Sequence, residues 1–369
     1  MPLLNDIPST SCLVTLQAGQ DNDFPQSKAL SDRVLEYDLH PQTDQPSHME
    51  HIAREGMSDA SLYRHNKALY AMKKKARRLT GDDEVAIEEI RVISSVILRC
   101  HDNDIGVGQW DWGEDQIPTF STFYAEQGTV RGFLQHNTGV FLTQKRNFAI
   151  DIASGLYALH AADIAHGDIN LDNTLVFPHP NNDGSWIAKV SNFAHSVFGL
   201  SSQRQTSYPA TALYSAPEVR DRIGQISSDQ LVQCESFSYG LLVWEIAKDG
   251  EIYFDPSWIE GTSVMDMVSC QEEYLENLPT DGLIKRALSF LCSRYTNSKC
   301  LDVNLFYHVL ELTLKDNPSG RKDLATIALS LDYCDRYVEV SGGMTFVSIL
   351  IFILVYKTEL ISTVILQPL

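Results

Sequence analysis

The sequence predicts a two-lobed α+β protein, with a small β-rich lobe followed by a larger helical one. Three observations carry this. The chain has 369 residues, and at roughly 150 residues per domain that suggests about two domains or lobes. Residues 46–125 mix short apolar runs with one clear helix. Residues 126–340 carry apolar positions at helical spacing instead.

Hydrophobic residues make up 44% of the chain and charged residues 21%. That supplies a core and excludes a disordered, collagen-like or disulfide-stapled chain. The net charge of −19 repels phosphate backbones and anionic lipid surfaces, which argues against a general nucleic-acid binder. The seven cysteines form no C-x-x-C and are odd in number, so they read as reduced intracellular thiols. No Cys/His pair has zinc-ligand spacing. Met1-Pro2-Leu3-Leu4-Asn5-Asp6 lacks a basic leader and an apolar core, so the expected location is cytoplasmic.

Residues 1–45 are rich in Asp, Gln, Ser and Pro with no sustained period, and read as a disordered tail. In 46–125, Leu69–Met72 and Phe120–Tyr124 are strand candidates. Asp82–Leu98 has apolar residues at Val85, Ile90, Ile93 and Ile97, with Asp82, Asp83 and Glu84 in its first turn. Acids there suit the positive end of a helix dipole. In 126–340, Asn147–His160 puts Phe148, Ile152, Leu156 and Leu159 on one face. Phe237–Ile246 is apolar almost all round, as in a helix buried within a lobe.

The segment 341–369 breaks from this composition. Met344–Tyr356 is mostly apolar, Lys357 and Glu359 interrupt, and Leu360–Leu366 is apolar again. The first run is short of the about 20 residues of a membrane span. One long span would bury both charges at roughly a few kcal/mol each. Three readings stay open: a membrane anchor, an element docked on the large lobe, and a tail outside the native fold.

The loop His166-Gly167-Asp168-Ile169-Asn170-Leu171-Asp172-Asn173 follows the amphipathic helix and leads into Thr174–Phe177. An Asp with an Asn five residues on, between helix and strand, suits phosphoryl transfer. The Asp can orient a hydroxyl and accept its proton, and the Asn can ligate Mg²⁺. A polar loop of Asx turns accounts for this stretch equally well when it is taken alone.

Further matches follow in order. Asn192-Phe193-Ala194 lies 24 residues after Asp168, and Ala216-Pro217-Glu218 follows. Then come Cys234–Gly240, Leu241–Ile246 and Asp316-Asn317-Pro318-Ser319-Gly320-Arg321. With these the chain resembles the eukaryotic protein kinase family over roughly residues 46–335, its domains then being a lobe at 46–125 and a lobe at 126–340. The resemblance implies the two-lobed kinase-like fold and ATP with Mg²⁺, or Mn²⁺, as cofactors. It also implies a protein substrate or docking partner.

Roles carry over by position. Asp168 matches the base of the H-R-D loop. Asn170 stands where Ser/Thr members have a lysine, and Thr211 precedes Tyr214 and Ala216-Pro217-Glu218 as in their G-T-x-x-Y-x-A-P-E run. These three are the expected catalytic positions. Asn173 and Asn192 fall at the metal-binding positions. Tyr70-Ala71-Met72-Lys73 resembles V-A-I-K, which makes Lys73 the nucleotide-phosphate lysine and Glu89 its partner, with Glu88 a neighbouring alternative. Gly56 is what remains of the glycine-rich loop, and Phe123–Glu126 falls at the hinge that meets adenine through its backbone. Glu218 and Arg321 match a buried structural pair. Glu235 replaces an Asp that holds the catalytic loop from the central helix.

Four departures bear on mechanism. Asn192 replaces the D-F-G Asp, Asn170 removes a cation, the glycine-rich loop is eroded, and Gly167 replaces the Arg of H-R-D. The expected function is ATP-dependent phosphoryl transfer to protein Ser/Thr hydroxyls with impaired metal use. The alternative is a pseudokinase that works as a binding or scaffold module.

Overall fold

The small lobe is built on five strands: β1 (Met49–Glu55), β2 (Ser58–His65), β3 (Ala68–Lys75), β4 (Val107–Trp112) and β5 (Pro118–Phe123). They form one antiparallel sheet in the order β1-β2-β3-β5-β4. The structure is a computed structural model. It describes residues 49–55, 58–65, 68–75, 92, 107–112, 118–180, 184–202, 205–206, 208, 211–220, 226–259, 267–295, 301–328 and 330.

The strand runs expected at 69–72 and 120–124 fall in β3 and β5. Their register sets Lys73 between Ala60 of β2 and Phe120 of β5. A stacked pair, Tyr70 on Phe123 with centroids 5.1 Å apart, ties the two strands together. The helix expected over 82–98 lies outside the described residues, apart from helical, buried Val92. The tails at 1–45 and 341–369 lie outside them too.

The larger lobe contains helices α1 (Val130–His136), α2 (Leu142–Ala161), α3 (Pro217–Arg220), α4 (Ser228–Ala247), α5 (Met267–Glu276), α6 (Gly282–Arg294) and α7 (Leu301–Thr313). The face expected on α2 is its buried face: Phe148, Ile152, Leu156 and Leu159 are all essentially inaccessible. At its start Lys145 and Arg146 are buried but paired, with Asp249 at 2.6 Å and Asp302 at 2.7 Å. Helix α4 opens with a capping box, Ser227 with Gln230. It then runs through the middle of the lobe, with Phe237, Leu241, Leu242, Val243 and Ile246 fully buried. Tyr239 donates to the carbonyl of Ala149 at 2.8 Å and joins α4 to α2. Gly240 permits the approach of α7, since a Cβ there would lie 2.2 Å from Thr313 Oγ1. Among the described residues no helix is long and apolar enough to cross a membrane.

One ion pair locks the start of α3 to the end of the lobe. Arg321 meets Glu218 through two parallel bonds, Nη1–Oε1 at 2.6 Å and Nη2–Oε2 at 2.9 Å. Its remaining donors go to the carbonyls of Lys315, Gln233 and Asp316. All five guanidinium N–H groups are thus satisfied. The guanidinium carbon also lies 4.8 Å from the centroid of the Phe237 ring on α4. Burial and the Glu218 carboxylate together push the neighbouring Cys234 thiol up from its ordinary range. Arg321→Met should therefore strand a nearly buried carboxylate and cost about 3–5 kcal/mol. Arg321→Lys, which keeps the charge but not the fork, should still lose more than half of that. Urea unfolding of both variants beside the wild type is the check, and a loss under about 1 kcal/mol in both would contradict the assignment.

Candidate functional site

Two short strand pairs assemble the site. Strand β6 (Ile164–Ala165) pairs with β9 (Val197–Phe198), and β7 (Thr174–Pro178) pairs with β8 (Trp186–Val190). The second register, Thr174 opposite Val190, places Asn173 opposite Ser191 one step further on. Ser191 N and Oγ accordingly both donate to the Asn173 carbonyl, at 2.9 and 3.0 Å. The polar loop 166–173 and the segment beginning at Asn192 are held side by side by this ladder.

His166 braces the loop from beneath. It is 1% exposed. Its Nε2 donates to the Ser191 carbonyl at 2.9 Å, and its Nδ1 accepts from Asp168 N at 3.2 Å. A carbonyl can only accept and an amide N–H only donates, so these contacts assign the neutral Nε2–H tautomer. Burial keeps the imidazole below its ordinary pKa.

Glu235 holds the loop from α4. It is fully buried, accepts from Gly167 N at 2.7 Å through Oε1 and from His160 Nε2 at 2.6 Å through Oε2. Gly167 adopts φ +84°, and a Cβ there would fall 1.9 Å from the His195 carbonyl oxygen. The missing Arg of the sequence pattern is thus a position whose backbone excludes any side chain.

The loop's polar groups form a continuous chain. Thr211 Oγ1 donates to Asp168 Oδ1 at 2.7 Å. Asn173 Nδ2 donates to Asp168 Oδ2 at 2.8 Å and to the Asp168 carbonyl at 2.7 Å. Asn192 Nδ2 donates to Asn173 Oδ1 at 2.9 Å. Asn192 takes a left-handed conformation, φ 64°, which Asn and Asp tolerate better than other side chains. Four residues singled out in the sequence therefore meet in one network. Asn170 lies beside it but faces its own backbone. Its Oδ1 accepts from Asp172 N at 2.9 Å and Asn173 N at 3.1 Å, and its Nδ2 donates to the Asp168 carbonyl at 3.3 Å. It caps the turn Leu171–Asn173.

Lys73 lies in β3, and its side chain is outside the described residues, as are Gly56 and Glu89. Glu126 is exposed in a turn after β5. Glu218 and Arg321 sit apart, in the structural pair already described.

Sequence reasoning missed a second buried network. Glu245, fully buried on α4, accepts from Arg131 Nη2 at 2.9 Å, Tyr214 OH at 2.8 Å and Tyr253 N at 3.0 Å. Burial pushes its carboxyl up, and Arg131 with these donors opposes that shift. Arg131 also donates to Asp172 in the loop at 2.8 Å, and to the Gly250 carbonyl at 3.0 Å. The signal was present: Glu245 is the one charge in the apolar run Phe237–Ile246, and a buried charge has to be paired.

The chain matches the family model "Protein kinase domain" over residues 56–321. It is 28% identical to a probable serine/threonine-protein kinase of Dictyostelium discoideum over 45% of this chain and 12% of that protein. It is 28% identical to the mixed lineage kinase domain-like protein of Homo sapiens, over 44% of this chain and 35% of that one. With serine/threonine-protein kinase 33 of Bos taurus the identity is 24%, over 55% and 45% respectively. The chain spans less than half the length of these relatives.

Two outcomes follow from the loop's geometry. Gly167→Ala should cost more than about 2 kcal/mol, from the positive φ and the collision with His195; a neutral effect in urea unfolding would contradict it. His166 has a folded-state pKa below its usual 6.5, so the unfolded chain takes up the proton first. Its contribution is complete above about pH 6.5 and is lost as the pH falls through the folded-state value, at no more than about 1.4 kcal/mol per pH unit. The stability difference between wild type and His166→Asn should shrink from about pH 7.5 to 5.5. A constant difference would contradict it.

Proposed function

The chain belongs to the protein kinase family, and from that premise we propose that it is a pseudokinase-like member, a binding module rather than an efficient phosphotransferase. The observation that carries this is the amide pair Asn192 Nδ2–Asn173 Oδ1 at 2.9 Å. Protein kinases generally use ATP and Mg²⁺, a hard cation that prefers anionic oxygen. Here the two candidate ligands are neutral amides bonded to each other, and the nearby Asp168 carboxylate already accepts from Asn173 and Thr211. The residues do not fit the metal. Asn170 adds no cation near a transferring phosphoryl group, and its amide is spent on the loop backbone.

A second reading is slow transfer from ATP to protein Ser/Thr hydroxyls. The contact between Thr211 Oγ1 and Asp168 Oδ1 supports it, because a carboxylate that accepts one hydroxyl proton donor is geometrically suited to accept another. Lys73, Glu89, Gly56 and the backbone near Glu126 would then serve the nucleotide.

Phosphate transfer from labelled ATP by the full chain separates the two. The wild type should not exceed Asp168→Ala with Mg²⁺, Mn²⁺ or neither. Asn192→Asp, which suits the same left-handed backbone, should acquire an ATP-induced rise in melting temperature that needs Mg²⁺ and that the wild type lacks. Transfer by the wild type above Asp168→Ala would overturn the first reading and establish the second.

A further inference from the structure

Near the C-terminal end of α4 lies a pocket of about 360 Å³, lined in part by Trp244 and Lys248. Its wall includes Trp244, Trp258 and Phe290, and three cations line it, Lys248, Lys285 and Arg286. In a chain of net charge −19 this is a local reversal of sign. One carboxylate, Asp255, also lines it; it accepts from Ser257 N at 2.9 Å and is attracted to Lys248, which leaves a net excess of two positive charges in the lining.

The cations are positioned by the fold. The Arg286 guanidinium lies 4.5 Å from the Trp258 centroid and 5.6 Å from that of Tyr274. Those two rings are themselves stacked at 5.8 Å. Arg286 Nη2 donates to the Tyr274 hydroxyl. Its other guanidinium donors have no acceptor among the described residues. Lys248 Nζ is held by the Ile252 carbonyl at 2.6 Å and lies 6.0 Å from the Phe290 centroid. Lys285 is exposed at the rim, with Nζ 3.1 Å from the Thr280 carbonyl.

The aromatic wall is itself fixed in place: Trp244 is 2% exposed and packs against Tyr253 and Trp258 with ring centroids 5.6 and 6.3 Å away.

We infer that this pocket receives a phosphoserine or phosphothreonine side chain from a segment of a partner protein. A phosphomonoester brings close to two negative charges and three acceptor oxygens, which matches an Arg fork and two ammonium groups. A carboxylate brings one charge and two oxygens. A polyanionic nucleic acid would meet the repulsion of the whole chain, whereas a peptide with one phosphate meets mainly the pocket. Tryptophan, tyrosine and arginine are also the side chains on which protein interfaces concentrate their binding energy. The inference needs neither nucleotide binding nor phosphoryl transfer by this chain.

The test is fluorescence anisotropy with the full chain and two labelled degenerate peptide pools, one with a fixed phosphoserine and one with serine there. Inorganic phosphate is the competitor. The phosphorylated pool should bind at least tenfold tighter than the serine pool. Lys285→Glu and Ser289→Glu, both at exposed pocket positions, should abolish that preference. Lys322→Glu, the same charge change outside the pocket, should keep it. Melting curves check that each variant folds. Equal binding of the two pools overturns the inference, as does equal loss in Lys322→Glu. Inorganic phosphate that competes at the peptide's own affinity also overturns it, because the site would then hold a free anion.

Discussion

A fully buried carboxylate on the central helix organises this lobe. Glu235 has no access to water, so both of its oxygens need donors from the protein. They find them in Gly167 N at 2.7 Å and His160 Nε2 at 2.6 Å. The helix α2, the loop 166–173 and the helix α4 are thereby fastened at one point. The loop cannot shift without exposing an unpaired charge to an apolar interior. Gly167 follows from this constraint, because on the backbone that presents its N–H to Glu235 a Cβ would fall 1.9 Å from the His195 carbonyl oxygen.

Much of this was legible in advance because it depends on periodicity and order. The buried faces of α2 and α4 follow from apolar spacing, and the pair Glu218–Arg321 follows from position within an ordered set of motifs. Substitutions were harder to read. Asn170 looks in the sequence like a lysine that has been lost; in the structure its amide caps the turn. Gly167 looks like a lost arginine, and the structure gives a positive φ with no room for any side chain. Both are long-range facts, since they depend on His195 and on the turn to Asn173. That Glu245 needs partners was legible, but which partners it has was not, for the same reason. Its partners Arg131, Tyr214 and Tyr253 are remote in sequence and meet only through tertiary packing.

The contact between Asn192 and Asn173 shows how one atom changes the electrostatics of such a site. Asn173 already donates its Nδ2 to Asp168, so its Oδ1 is left as an acceptor. An Asp at 192 would have only acceptors to offer, and would set a second carboxylate close to Asp168. Like charges in a partly buried site repel, and a cation normally offsets that repulsion. The amide of Asn192 supplies the missing donor and removes the charge at once. The chain from Thr211 to Asn192 is then complete using protein atoms alone, which stabilises the loop and takes from it the charge that a metal would require.

The same helix lends its rigidity to the cation-lined pocket. At Glu235 and Glu245 the buried acids of α4 are matched by donors from several elements. Trp244, one residue from Glu245, packs among Tyr253 and Trp258 with ring centroids 5.6 and 6.3 Å away, and Trp258 in turn carries the Arg286 guanidinium at 4.5 Å. A close-packed interior does not rearrange at low cost. The guanidinium is therefore held where it stands before any partner arrives, and the rigidity of α4 works in favour of binding, because little ordering of the site is required.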